Sequence, residues 1–225
     1  MTAIKPRLLD LFCCAGGAAR GYQMAGFHVT GIDIKPQPRY AGDVFVQGDA
    51  LEYVAAHGHE FDVIHASPPC QGYSASRHIH GELSHPLLID ETRRLLQATS
   101  KPYVIENVEG APLLNPIVLC GIMFGLKVYR HRLFETNPFL LGPAHTSHPK
   151  NATTNSCHGY STIANGATHI TAAGHNFNRI DAMKAMRLDW DMTREEVAQA
   201  IPPSYTEYIG RHMLESIEVS AWQRA

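Results

Sequence analysis

The amino-acid sequence predicts an α/β protein whose mostly parallel sheet is covered by helices on both faces. Short apolar runs alternate with helical patterns through roughly the first 135 residues, as successive strand–helix units require. Several of those runs end in an acid, a glycine or a proline pair, residues suited to turning the chain over one edge of a sheet. The length of 225 residues, with 44% hydrophobic and 18% charged side chains, suits one substantial domain carrying a small insertion.

Each element has its own signal. Strands are expected at Leu8–Phe12, Phe27–Ile34, Val44–Val46, Phe61–Ala66, Tyr103–Glu106 and Arg132–Thr136, all short runs rich in apolar residues. Gly16-Gly17 opens a helix reaching about Ala25, and Leu51–His57 forms a second. Pro86–Thr99 reads as a third, with Leu87, Leu88, Thr92, Leu95 and Leu96 on one side. Residues 143–178 are rich in Ser, Thr, Asn, Gly and His, and helices return at Ile180–Arg187, Thr193–Ala200 and Ser204–Ile217, with Thr193 as an N-cap. The expected division is an α/β core over 1–142, a short polar segment over 143–177, and C-terminal helices over 178–225 that pack back on the core.

Composition narrows the function. A net charge of −2 and a pI near 6.7 give no global pull toward nucleic acid, so any such site is local. Five cysteines (13, 14, 70, 120, 157) make an odd count without a C-x-x-C pair, which points to a reducing cytoplasm rather than a disulfide framework. The first residues place basic groups before an apolar run as a secretory leader does, but Asp10 breaks that run and Arg20 closes it. The longest later apolar stretch, IVLCGIMFGLKV, is too short to span a bilayer. A soluble, cytoplasmic protein is expected.

Five stretches carry chemistry. In LLDLFCCAGGAARGY an apolar strand runs through small residues into a helix, which serves either a cofactor loop or tight helix–strand packing. Asp33 and Asp49 end strands; each suits a ribose or adenine contact, or simply caps the next turn or helix. In FDVIHASPPCQ, Cys70 follows two prolines at a strand end. It is either a buried spacer or a nucleophile held still by a rigid turn. KPYVIENVEG places Glu106 at another strand end, as a proton carrier in a partly apolar pocket or as a surface acid. Arg130 and Arg132 stand two apart in VYRHRLFE, on one side of a strand if both lie on it.

The order of these motifs (strand, DLF and glycine loop, two acids, PPCQ, ENV, then R-x-R) together with the closing QAIPPSYTEYIG resembles the cytosine-C5 DNA methyltransferases in their compact phage or bacterial form. The resemblance implies a Rossmann-like S-adenosylmethionine-dependent methyltransferase fold and methylation of carbon 5 of a flipped-out cytosine. It makes Cys70 the nucleophile at carbon 6, with Glu106 at N3 and the exocyclic amine, Arg132 at O2, and Arg130 in support. S-adenosyl-L-methionine would lie against Asp10, Phe12, Gly16, Gly17, Asp33, Ile34, Asp49, Ala50 and Pro68. Gln71, Ser74, Ser76, Arg77 and His78 would meet double-stranded DNA, in a bacterial or phage-encoded setting and in a monomer or dimer.

The sequence departs from the family pattern at Cys14, where the cofactor loop usually has glycine, at Val128 in place of Gln, and at Gln199 in place of Asn. The segment that would recognise the target is unusually short. His145, His148, Cys157 and His158 offer zinc-ligand chemistry, but their spacing matches no standard pattern, and no metal is expected. The rival readings are the same catalysis on RNA or a nucleotide, a modified donor, and a non-catalytic DNA-binding homologue.

Overall fold

The computed structural model describes residues 4–73, 87–148, 153–154, 168–170, 172 and 177–222. Seven strands form the main sheet: β1 (Arg7–Leu11), β2 (His28–Asp33), β3 (Val44–Gln47), β4 (Val63–Ala66), β5 (Tyr103–Asn107), β6 (Ile117–Leu119) and β7 (Arg132–Asn137). Their spatial order is β3-β2-β1-β4-β5-β7-β6. All neighbouring pairs from β3 to β5 are parallel; β7 runs antiparallel to both β5 and β6. The predicted α/β fold with a mostly parallel sheet is therefore present. β6 is an addition, because the sequence reading treats IVLCGIMFGLKV only as an apolar stretch.

Period-two alternation sorts the side chains onto two layers. Leu9, Leu11, Ile64, Ala66 and Ile105 point toward α2 (Ala50–His57) and α3 (Ile89–Ala98), forming one apolar cluster with Val54, Phe61 and Leu96. Leu8, Val63 and Val104 point to the opposite face, where α1 (Gly17–Ala25), α4 (Arg179–Met186), α5 (Arg194–Gln199) and α6 (Pro203–Trp222) supply the larger cluster. On that same second face the alternation places three buried polar residues, Asp10 on β1, His65 on β4 and Glu106 on β5.

The C-terminal helix is seated on α1 at close range. A Cβ at Gly21 would stand 2.1 Å from both the Pro203 carbonyl oxygen and Thr206 Oγ1, so only glycine admits this approach. Thr206 uses it to donate to the Ala18 carbonyl at 2.9 Å. Thr193 caps α5 as expected, in a reciprocal box with Glu196, which also grips Arg39 with both carboxylate oxygens. Two further strands, β8 (Thr153–Thr154) and β9 (His169–Ile170), pair in parallel, and the Ile170 amide donates to the Lys127 carbonyl at 2.8 Å. Among the described residues no helix is long and apolar enough to cross a membrane.

Helix α3 differs from the leucine stripe expected over 86–99. It begins at Ile89, Leu87 is 63% exposed, and the buried side includes Arg93. The reason is Glu135 on β7, which receives Arg93 Nε and Nη2 at 2.8 Å each, while Arg93 Nη2 also donates to the Pro112 carbonyl. A bidentate partner makes the buried guanidinium tolerable. Glu135→Gln leaves the buried Arg93 with only the exposed Asp90 carboxylate, 2.6 Å from Nη1, as counter-charge, and a loss of about 2–3 kcal/mol in unfolding free energy is expected, read from the urea midpoint.

Candidate active site

The carboxyl edge of the parallel sheet gathers the chemistry. β4 ends at Ala66, and the following turn is pinned on both sides. The Ser67 amide donates to the Leu11 carbonyl at 3.1 Å, and Asn107 Nδ2 donates to the Pro68 carbonyl at 2.9 Å. The two prolines fix φ through the turn, and the Tyr73 amide closes it onto the Cys70 carbonyl at 3.0 Å. Cys70 is thus half-buried on a braced turn, with Gln71 exposed beside it.

Glu106 lies on β5, buried and bridged to Arg132 Nε at 3.1 Å. Burial holds its carboxyl above the usual range, opposed by Arg132, by a hydrogen bond from Ser67 and by Arg130. Burial also pushes the Cys70 thiol up, Glu106 adds to that, and Arg132 and Arg130 work against it. These mutual influences tie the thiol, the acid and the two guanidinium groups into one electrostatic unit.

Behind Glu106 runs a buried relay that the sequence reading missed. Tyr22 Oη lies 2.9 Å from His65 Nδ1, and His65 Nε2 lies 2.9 Å from Ser67 Oγ. Burial drives the His65 pKa down to about 3, so its ring is neutral. An ionised Glu106 can only accept, so Ser67 donates to it, His65 Nε2–H donates to Ser67, and Tyr22 donates to His65 Nδ1. A histidine inside the otherwise apolar run DVIHA was the available signal for this relay.

Arg130 and Arg132 are not paired on a strand as expected. β7 begins at Arg132, and Arg130 precedes it with a left-handed φ of 40°. The guanidinium of Arg130 instead donates to the carbonyls of Ala172 and Ala198 at 2.7 and 2.6 Å, while Tyr205 Oη donates to the Arg130 carbonyl. Burial and the like charge of Arg132 lower its pKa to about 9, which leaves it charged at neutral pH. Its hydrogen bonds make it a brace between the site and the C-terminal segment. Arg132 is the guanidinium that meets Glu106.

The proposed cofactor residues divide in the same way. Asp33 receives the Cys14 and Lys35 amides at 3.0 and 2.9 Å, so it braces the loop after β1. Asp49 caps α2 by accepting from the Leu51 and Glu52 amides, the plainer of its two expected roles, and its Oδ1 makes both bonds. Gly16 and Gly17 serve packing: a Cβ would stand 2.8 Å from the Ala41 amide nitrogen at one and 2.6 Å from the Ile201 carbonyl at the other. Phe12 and Cys14 both take left-handed φ values, 59° and 46°, so Cys14 adopts a conformation that glycine reaches without penalty. Its thiol is pushed up to about 12 by burial and by Asp33, Asp10, Glu106 and Cys70. Ile34 is exposed, Ala50 is buried, and Pro68 lies in the Cys70 turn. Ser74, Ser76, Arg77 and His78 lie outside the described residues, as do Cys157 and His158.

Asp10 is the anomaly. It is 1% exposed, and neither carboxylate oxygen has a hydrogen-bond partner among the described residues. Burial raises its pKa well above the ordinary value, and Asp33 and Glu106 raise it further. A buried acid in acidic company is an uncompensated demand for positive charge.

Two outcomes follow. Because the folded state holds the Asp10 proton more tightly than the unfolded chain, its contribution is favourable in acid and is lost as pH rises above the ordinary carboxylate range. Asp10→Asn should therefore raise the melting temperature of the free protein at neutral pH, with a smaller gain in acid. Glu106→Gln removes the negative charge that raises the Cys70 pKa, so alkylation of Cys70 by iodoacetamide at mildly alkaline pH should accelerate several-fold, measured by peptide mass spectrometry.

Comparison with known proteins adds a likeness in sequence and in fold. Residues 6–115, which include β1 through β5 with Cys70 and Glu106, match the family model of the C-5 cytosine-specific DNA methylases. A 122-residue alignment is 31% identical to the Type II methyltransferase M.XorII of Xanthomonas oryzae pv. oryzae, and covers 47% of this chain but 29% of that protein. Similarity to M.AgeI of Thalassovita gelatinovora is 28% over 121 residues and again 28% of that protein. The chain thus spans less than a third of the curated relatives it matches. Among solved structures, the fold is similar to a DNA modification methyltransferase encoded within an E. coli prophage, with a TM-score of 0.64 at 15% identity over 95% of this chain and 99% of that one. The S. pombe Dnmt2 methyltransferase gives 0.62 at 13% over the same shares. The likeness to the C-5 cytosine-specific DNA methylases thus rests on residues 6–115, just under half of the chain.

Proposed function

We propose that the protein transfers a methyl group from S-adenosyl-L-methionine to carbon 5 of cytosine in double-stranded DNA, with Cys70 as the covalent nucleophile. The observation that carries the reading is the grouping of Cys70, Glu106 and Arg132 at one sheet edge, the first two within the residues that match the family model. When bound, the cofactor supplies an electrophilic methyl group on a positively charged sulfonium. The unpartnered Asp10 carboxylate, with Asp33 and Glu106 near it, fits a ligand bearing cationic groups. Asp10 and Asp33 would hold it, with Phe12 and Pro68 as apolar walls.

Carbon 5 of cytosine is too weak a nucleophile to take a methyl group unaided. Addition of the Cys70 thiolate to carbon 6 forms an S–C bond and pushes electron density onto carbon 5. Glu106, whose burial favours its protonated form, takes up a proton when the site fills and passes it to N3 as negative charge develops on the ring. Arg132 offers its guanidinium to O2, and the Tyr22–His65–Ser67 relay keeps the Glu106 carboxyl aimed. After carbon 5 has gained the methyl group its proton leaves to a base, and the returning electron pair expels the Cys70 thiolate. The ring cannot be reached inside a duplex, so the cytosine would swing out of the stack into the pocket. Gln71 and the segment after it would approach the displaced strand.

The test is transfer of labelled methyl from S-adenosylmethionine to mixed-sequence duplex DNA. The wild type should place label on carbon 5 of cytosine, and Cys70→Ala should lose at least about a thousandfold in rate. Asp10→Asn should weaken cofactor binding by about tenfold or more, measured by calorimetry. A folded, cofactor-binding wild type that labels RNA or free nucleotides but never DNA would overturn the substrate assignment.

A further inference from the structure

Where β6 ends and β7 begins, four nitrogen and sulfur side chains converge. Cys120 follows β6, His131 immediately precedes β7, and His145 and His148 lie on the segment after it. One ligand atom from each lies within 4.8 Å of every other. His148 Nε2 stands 3.3 Å from Cys120 Sγ and 3.2 Å from His145 Nε2.

These contacts ask more of one nitrogen than hydrogen bonding allows. An imidazole nitrogen carries either one in-plane lone pair or one proton. His148 Nε2 therefore cannot make two good hydrogen bonds, to a thiol and to another ring nitrogen, at such short range. A metal ion removes the conflict by taking a lone pair from every member. The distances suit that role: Zn–N near 2.0–2.1 Å and Zn–S near 2.3 Å in a tetrahedron place ligand atoms about 3.3–3.6 Å apart. The widest separation closes to this by side-chain rotation of roughly 1 Å.

The surroundings are built as a metal site is built. The amides of Gly121 and Ile122 hydrogen-bond to the Cys120 sulfur and fix its position. Tyr129 stacks on His148 at 3.8 Å between centroids and 11° between planes, and on its own account stacks with His169 at 4.7 Å. The His148 ring is thereby held in orientation, as outer partners hold metal-bound imidazoles. A cavity of about 450 Å³ lined by Glu109, His131 and His145 gives an ion a route in, and the Glu109 carboxylate adds negative charge. Three imidazoles and one thiolate in tetrahedral range select zinc among the abundant divalent ions.

We propose that Cys120, His131, His145 and His148 form a structural zinc site that fastens the segment leading out of β7 onto the β6–β7 hairpin. The site also reaches the catalytic edge through the backbone, because the His131 carbonyl accepts from Arg132 Nη1 at 2.8 Å. Fixing His131 fixes the peptide from which Arg132 extends. The inference is independent of the methyl-transfer reading, since zinc content is measured without any activity.

The experiment uses the untagged full chain expressed with added Zn²⁺, desalted and analysed for metals, with Co²⁺ titration of the chelator-treated, reduced protein. About one zinc per chain is expected, and Co²⁺ should produce visible d–d bands with a thiolate-to-cobalt charge-transfer band. Cys120→Ser should abolish the charge-transfer band. The double variant His145→Ala, His148→Ala, whose members are exposed and half-buried and spare the core, should fall below about a tenth of the wild-type zinc content while keeping its circular dichroism. A wild type that binds no zinc after reconstitution would overturn the proposal. So would full zinc retention in the double variant, or cobalt binding without the thiolate band.

Discussion

The ion pair between Arg132 and Glu106 depends on one topological feature, the reversal of β7 against β5. In a parallel neighbour the first residue of the strand would lie at the opposite edge of the sheet from Glu106. Because β7 runs backward, its first residue arrives at the edge where β5 ends, with Glu106 opposite Phe134 and Asn107 opposite Leu133. Arg132 then reaches Glu106 at 3.1 Å. The same bridge moderates the two competing effects on Cys70, since Glu106 raises the thiol pKa and Arg132 lowers it. Much else holds this geometry in place: the Arg93–Glu135 pair fixes β7 to α3, and Arg130 and Tyr205 fix the approach to β7 against the C-terminal segment.

A second constraint is electrostatic. The alternation of a strand aims Asp10, His65 and Glu106 at one face, and that face is closed by α1. His65 is neutral and spends its hydrogen-bonding capacity on Tyr22 and Ser67, so it supplies no counter-charge. Arg132 answers Glu106, and none of the described residues answers Asp10. An apo protein built this way gives up stability at a single buried carboxylate. That is the pattern expected when binding rather than folding has shaped a position.

The sequence made the sheet legible because each parallel strand is a short apolar run closed by a punctuating residue. The expected spans for β1, β2, β4 and β5 differ from the observed ones by one or two residues at their ends. Cys70, Glu106 and Arg132 were legible as a set because their motifs occur in a fixed order, although no single one was decisive. What escaped was whatever depends on non-local partners. Arg93 looks like a surface residue until Glu135 arrives from a strand more than forty positions away. His65 reads as an irregularity in an apolar run, and its relay needs Tyr22 from α1. Arg130 seemed to share a strand face with Arg132 because spacing alone does not report the left-handed turn before β7. The His-rich tail was read with Cys157 and His158 as its nearest companions in sequence, whereas the fold brings Cys120 and His131 to His145 and His148.

The covalent role of Cys70 is the central claim, and it has a direct measurement. Duplex DNA of mixed sequence with 5-fluorocytosine at its cytosine positions would be incubated with the protein and S-adenosylmethionine. Fluorine at carbon 5 cannot leave as the proton does, so the sulfur–carbon bond formed at carbon 6 should persist. The account predicts a complex that survives denaturing electrophoresis, requires the cofactor, and carries the modified nucleotide on the peptide containing Cys70. An adduct that forms equally with Cys70→Ala, or no adduct from a protein that binds both cofactor and DNA, would contradict it.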